Sequence, residues 1–84
     1  MTDLEFDIMD ELYFIVAFQE LKKNLSMDET ELVNALSALI RKGWVKCLEK
    51  ETDREIEVHT NFQAEYQKYN YLATKAGLLA HNSK

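Results

Sequence analysis

Apolar residues recur at three- and four-residue spacing near the start of the chain, at Leu4, Ile8, Leu12, Ile15 and Val16. That period predicts an amphipathic helix over about residues 4–17. Tyr13, Phe14 and Phe18 widen its apolar face beyond one stripe. The breadth suits either the central helix of a small core or a surface for a partner protein or a second copy. No Ser, Thr, Asp or Asn stands near Phe18 to cap a new helix, so the local pattern also permits one helix running on through Lys23.

A better marked period follows at Leu32, Val33, Leu36, Leu39 and Ile40. Asp28 stands as its N-cap with Glu31 three residues on, a capping box, and Met27 and Leu32 form a hydrophobic staple. Gly43 comes where a left-handed cap ends such a helix. The outward face is then Thr30, Glu31, Asn34, Ala35, Ser37, Ala38, Arg41 and Lys42. Leu36 and Leu39 are expected to pack on the first helix.

After Gly43 the period changes from helical to alternating. Trp44 and Val45 lead a strand to Glu49, with Val45 and Cys47 on one face and Lys46 and Leu48 on the other. Residues 50–54 form a charged turn without glycine. Residues 55–60 alternate strictly, Ile56 and Val58 to one side and Glu55, Glu57 and His59 to the other, which predicts a second strand pairing back on the first. Residues 61–68 carry no decisive period. Residues 69–73 can form a further strand, after which Thr74 caps a short last helix ending near His81.

Eighty-four residues without proline, repeat or Gly/Ser linker predict a single domain over 1–84. A hydrophobic content of 46% is enough for one compact core. The single cysteine, Cys47, forms no internal disulfide and reads as a small core residue. With no basic segment ahead of an apolar run and no apolar run long enough to span a bilayer, the expected location is the cytoplasm, away from any membrane.

Net charge is −5, but its distribution is uneven. Residues 1–31 hold nine acids against Lys22 and Lys23, and residues 32–84 hold six acids against eight bases. The first third repels polyanions and the remainder mildly attracts them.

Residues 21–45, LKKNLSMDETELVNALSALIRKGWV, place a short helix, a tight turn, a longer helix and a strand in succession. This spacing resembles the winged helix-turn-helix transcription regulators, as does YLATKAGLL at residues 71–79, where Thr opens the last helix. The resemblance implies an α+β fold: three helices, a short antiparallel β-wing and a C-terminal helix. It also implies a break near Phe18, a second helix over residues 19–25, and a wing tip at residues 50–54. Residues 55–68 depart from that pattern, and residues 61–68 look like an insertion. In such regulators the third helix usually enters the major groove of DNA. Asn34 and Arg41 would then address base edges, with Thr30 and Ser37 on phosphates. Lys42, Lys46, Lys50 and Arg54 would supply backbone contacts from the helix end and wing.

Asp28, Glu29 and Glu31 crowd the start of that helix, where carboxylates would oppose phosphates; capping and dipole complementation explain them without a ligand. The same acidity suits a second function, a non-enzymatic protein-interaction module or homodimer using Tyr13, Phe14 and Phe18. Both remain open at this level. Catalysis is not indicated. His59 and His81 have no nucleophile or carboxylate at a recognisable spacing, and there is no glycine-rich phosphate loop. Cys47, His59 and His81 lack metal-ligand spacing. No cofactor, metal or small-molecule ligand is expected, and His81, in a polar tail, is expected to face solvent.

Overall fold

The computed structural model describes residues 1–57 and 62–82. In chain order it contains α1 (Asp3–Glu11), β1 (Val16–Ala17), α2 (Phe18–Leu25), α3 (Glu29–Arg41), β2 (Val45–Glu49) and β3 (Glu55–Ile56). These are followed by α4 (Phe62–Glu65), a 3-10 turn (Tyr66–Lys68), β4 (Tyr69–Ala73) and α5 (Lys75–Asn82). One antiparallel sheet of order β1-β4-β2-β3 lies against the helices. The α+β class is realised and the expected elements occur in their expected order, with β1 added between α1 and α2 and α4 and the 3-10 turn added before β4.

The first helix is shorter than its apolar period. Thr2 caps it: its Oγ1 accepts from the Glu5 amide at 3.1 Å, while the Thr2 amide donates to Glu5 Oε1 at 2.9 Å. This is a complete capping box. The helix stops at Glu11 because Leu12 is drawn into the sheet, its carbonyl accepting from the Ala73 amide at 3.0 Å. Val16 then pairs with Tyr71. Ile15 and Val16 therefore belong to a loop and an edge strand, not to a helical stripe, and α2 opens at Phe18.

α3 follows the expected bounds. Asp28 Oδ2 accepts from the Glu31 amide at 3.2 Å. The reciprocal half of that box does not form among the described residues; Glu31 stays exposed. At the other end the Gly43 amide donates to Ile40 O and the Trp44 amide to Leu39 O, both at 3.0 Å. With Gly43 at φ 78° this is a Schellman ending, a conformation glycine adopts without strain. Leu32, Val33, Leu36 and Leu39 are buried in one core with Ile8, Met9, Leu12, Phe18, Leu21, Cys47 and Tyr71.

The wing differs from expectation in its return strand. Among the described residues β3 pairs with β2 at Cys47–Ile56 and Leu48–Glu55, whereas β4 pairs with all five residues of β2, from Val45–Ala73 to Glu49–Tyr69. Residues 50–68 as a whole therefore separate the two long strands. The glycine-free turn closes through Asp53, which takes φ 56°, a conformation that Asp tolerates better than most residues. The Glu49 amide and carbonyl both bond across this turn, to Arg54 O and from the Asp53 amide, at 2.9 Å each. The part of the second predicted strand that includes Val58 and His59 lies outside the described residues. Among the described residues no helix is long and apolar enough to cross a membrane.

Candidate nucleic-acid interface

The exposed face of α3 carries Thr30, Glu31, Asn34 and Arg41, with Ser37, Ala35 and Ala38 half-buried along it. Arg41 Nη2 lies 3.4 Å from Ser37 Oγ one turn earlier, so the two side chains share this face. The buried stripe on the opposite side leaves the face to solvent, as its period requires.

The basic candidates divide by what already holds them. Lys42 turns toward α1: its Nζ lies 2.7 Å from Glu5 Oε2 and 5.0 Å from the centre of the Trp44 ring. Its charge is committed inside the molecule. On the wing, Lys46 lies 4.0 Å from Glu55 and Arg54 lies 3.4 Å from Glu49. These are solvent-exposed or half-exposed pairs, weak enough to exchange for a phosphate. Lys50, in the turn, is exposed and makes no ion pair among the described residues.

Each acid at the start of α3 has a different fate. Asp28 caps the helix. Glu29 accepts hydrogen bonds from the Tyr66 hydroxyl and from Gln67 Nε2, the latter at 2.8 Å. These two bonds, led by Tyr66, hold its carboxyl below the ordinary value, and the same contact pushes the Tyr66 hydroxyl up. Asp28 and Glu31 both remain exposed, Glu31 beside Thr30, while Glu29 is half-buried.

Tyr66 and Gln67, together with Lys68, were invisible as site residues in the sequence because residues 61–68 carry no readable period. A cleft of about 530 Å³ lies beside them, lined by Glu49, Lys50, Glu51, Thr52, Gln67 and Lys68. It sets the wing turn against the 3-10 turn.

Of the aromatic residues expected to form a protein interface, two are exposed and one is not. Phe18 is fully buried, against expectation, because the first position of α2 faces the core and its ring meets that of Tyr66 at 4.7 Å. Phe14 is 78% exposed, with Tyr13 and Ile15 also exposed beside it.

His81 also departs from expectation. It is 8% exposed, stacked on Phe6 at 4.1 Å, with Nδ1 2.9 Å from the Tyr13 hydroxyl. Its Nε2 lies 2.7 Å from Asp10 Oδ1, an ion-pair separation whose angles fall short of a hydrogen bond. The contact that buries it comes from the far end of the chain. Cys47, buried in the sheet, has its thiol pushed up to about 12 by desolvation, which leaves it unreactive. Among the described residues no group of three or more His, Cys, Asp or Glu could hold a metal ion.

No protein-family model matches the chain, and no curated protein matches it in sequence. Solved structures do match. The chain is similar to the Multiple Antibiotic Resistance Repressor MarR at TM-score 0.77 and 24% identity, over 99% of this chain and 53% of that one. Apo wild-type MarR from E. coli gives 0.77 and 24%, over 99% and 54%. A mutant E. coli MarR complexed with operator DNA gives 0.74 and 23%, over 99% and 52%. The chain spans about half the length of these proteins. At this identity the likeness establishes architecture: the chain is a small α+β winged helix, with the fold of the corresponding half of MarR.

Proposed function

We propose that this chain is a DNA-binding winged-helix domain of transcription-regulator type, a single unit over residues 1–84, non-enzymatic and cytoplasmic. α3 enters the major groove and the turn at residues 50–54 follows the backbone. One observation carries this reading: α3 presents Thr30, Asn34, Ser37 and Arg41 along one solvent-facing side of a rigidly packed helix. The fold shared with a MarR bound to operator DNA supports it. Asn34 and Arg41 have the donor and acceptor groups that read base edges, while Thr30 and Ser37 suit phosphate oxygens. Arg41, Lys46, Lys50 and Arg54 can each neutralise a phosphate. Binding should then fall with a log–log salt slope of about −3 to −4. Titration of the purified chain with duplex DNA at two salt concentrations tests the reading, and absence of binding at low salt counts against it.

A second reading is favoured by a separate observation. Phe14, with Tyr13 and Ile15, forms an exposed apolar knuckle between α1 and β1 that DNA contact does not use. Such a cluster suits a protein partner or a second copy. Sedimentation of the wild type and of Phe14→Glu separates a partnered surface from a solvated one.

A further inference from the structure

Residues 62–68 form a brace that reaches from the core to the start of α3. Tyr71, fully buried, donates its hydroxyl to the Tyr66 carbonyl at 2.6 Å. The Tyr66 ring rests on Phe18, the first residue of α2, and its hydroxyl bonds Glu29, the first residue of α3. Gln67 adds a second donor to the same carboxylate and also lines the cleft beside Lys50 in the wing turn. One short segment thus touches both helices of the helix-turn-helix pair and faces the wing turn across the cleft.

We propose that Tyr66 and Gln67 are positioning residues for DNA recognition: they hold the Glu29 carboxylate against the 62–68 segment and so keep it out of the approach path of phosphates to α3. The proposal rests on the DNA-binding reading of α3. A free carboxylate at the first turn of a groove-entering helix would swing among the positions a phosphate must occupy, where like charges repel. Two donors converging on one carboxylate oxygen confine it. The depressed Glu29 pKa is in keeping with that confinement and keeps the group ionised, so position, not neutralisation, is what the brace controls.

The test uses the full chain, with Tyr66→Phe, Gln67→Ala, and each combined with Glu29→Gln. NMR titration should find Glu29 below the ordinary carboxylate range in the wild type and shifted back toward it in Tyr66→Phe. DNA affinity at low salt should fall roughly two- to fivefold in either single variant, the size of one exposed charge interaction. Adding Glu29→Gln should restore it, a rescue that a purely structural loss would not show. An unshifted Glu29 in Tyr66→Phe overturns the proposal, as does unchanged affinity in a wild type that binds DNA, or failure of Glu29→Gln to rescue. If the wild type binds no DNA, the DNA-binding reading fails together with the role proposed here, while the titration still reports whether Tyr66 holds Glu29.

Discussion

Lys42 Nζ lies 2.7 Å from Glu5 Oε2, joining the last cap of α3 to the first turn of α1. Glu5 is 5% exposed and both of its carboxylate oxygens are engaged, Oε1 by the Thr2 amide and Oε2 by Lys42. A buried carboxylate without such partners would be costly; with them it fixes the angle between two helices that share the core.

Glu5→Gln keeps an acceptor for the Thr2 amide and removes the charge pair. Because Lys42 remains half-exposed, the loss should be modest, about 1–2 kcal/mol. Burial pushes the Glu5 pKa up, but hydrogen bonds from Lys42 and Thr2 and the Lys42 charge outweigh it, and the folded-state value falls below the ordinary 4.5. Folding therefore favours the ionised form. Its contribution is fully present above pH 4.5 and is lost as pH falls through the lower folded-state value. Urea unfolding between pH 6 and pH 3 should show a shallower acid loss in Glu5→Gln than in the wild type, with Glu29 and Glu49, shifted in the same direction, responsible for part of the remainder.

Leu36 and Leu39 are fully buried on the inner side of α3. Truncating either to alanine should cost about 2–5 kcal/mol, through lost transfer energy and the cavity left behind. In a domain of this size that is a large share of the total stability, and thermal unfolding would reveal it directly.

These core positions were legible in the sequence because α3 states its limits locally: an N-cap, a stripe at helical spacing and a glycine where the left-handed cap belongs. α1 does not. Its apolar period continues through Ile15 and Val16, and only pairing with β4, far along the chain, ends the helix at Glu11. The Thr2 and Glu5 capping box was readable as Thr-x-x-Glu but marks a start, not an end. Phe18 and His81 were misjudged for the same reason. What buries them is a ring brought from elsewhere, Tyr66 in one case and Phe6 in the other. On the candidate interface, the face of α3 could be read from periodicity. The brace on Glu29 could not, since it depends on a segment with no pattern of its own.

Gly77 lies inside α5, where alanine would ordinarily be better by about 1 kcal/mol. Here a Cβ would sit 2.1 Å from the Trp44 carbonyl oxygen and 2.8 Å from Met9 Cε. The methionine can move, but the Trp44 carbonyl is fixed by the Thr74 amide at 2.9 Å. Gly77→Ala should therefore destabilise by about 1–3 kcal/mol net despite its helix propensity. Gly43→Ala meets no atom within 4 Å but must hold φ 78°, and should cost about 1–2 kcal/mol. Equilibrium unfolding of the pair separates a steric from a conformational requirement.

Asp28→Ala removes the side-chain acceptor for the Glu31 amide and should cost about 1 kcal/mol. If phosphates approach this end of α3, the same change should strengthen DNA binding at low salt, because a carboxylate leaves the approach path. Loss of stability together with weakened DNA binding would mean instead that the cap itself sets the helix for the groove.

Lys42 and Lys50 provide the sharpest test of which cations meet DNA. Both are exposed lysines beside the proposed interface, yet Lys42 is ion-paired with Glu5 whereas Lys50 makes no ion pair among the described residues. Neutralising a side chain that binds one phosphate should reduce the salt slope by about 1. Lys50→Gln should therefore weaken binding and flatten the slope by that amount without changing stability. Lys42→Gln should lower stability by breaking the Glu5 pair while leaving the slope near its wild-type value. Arg41→Gln should behave like Lys50→Gln. Salt-dependent titrations of the three variants, read beside their unfolding curves, decide the assignment. If Lys42→Gln flattened the slope as much as Lys50→Gln, the Glu5 pair would have to open on binding, and α1 would become part of the recognition machinery.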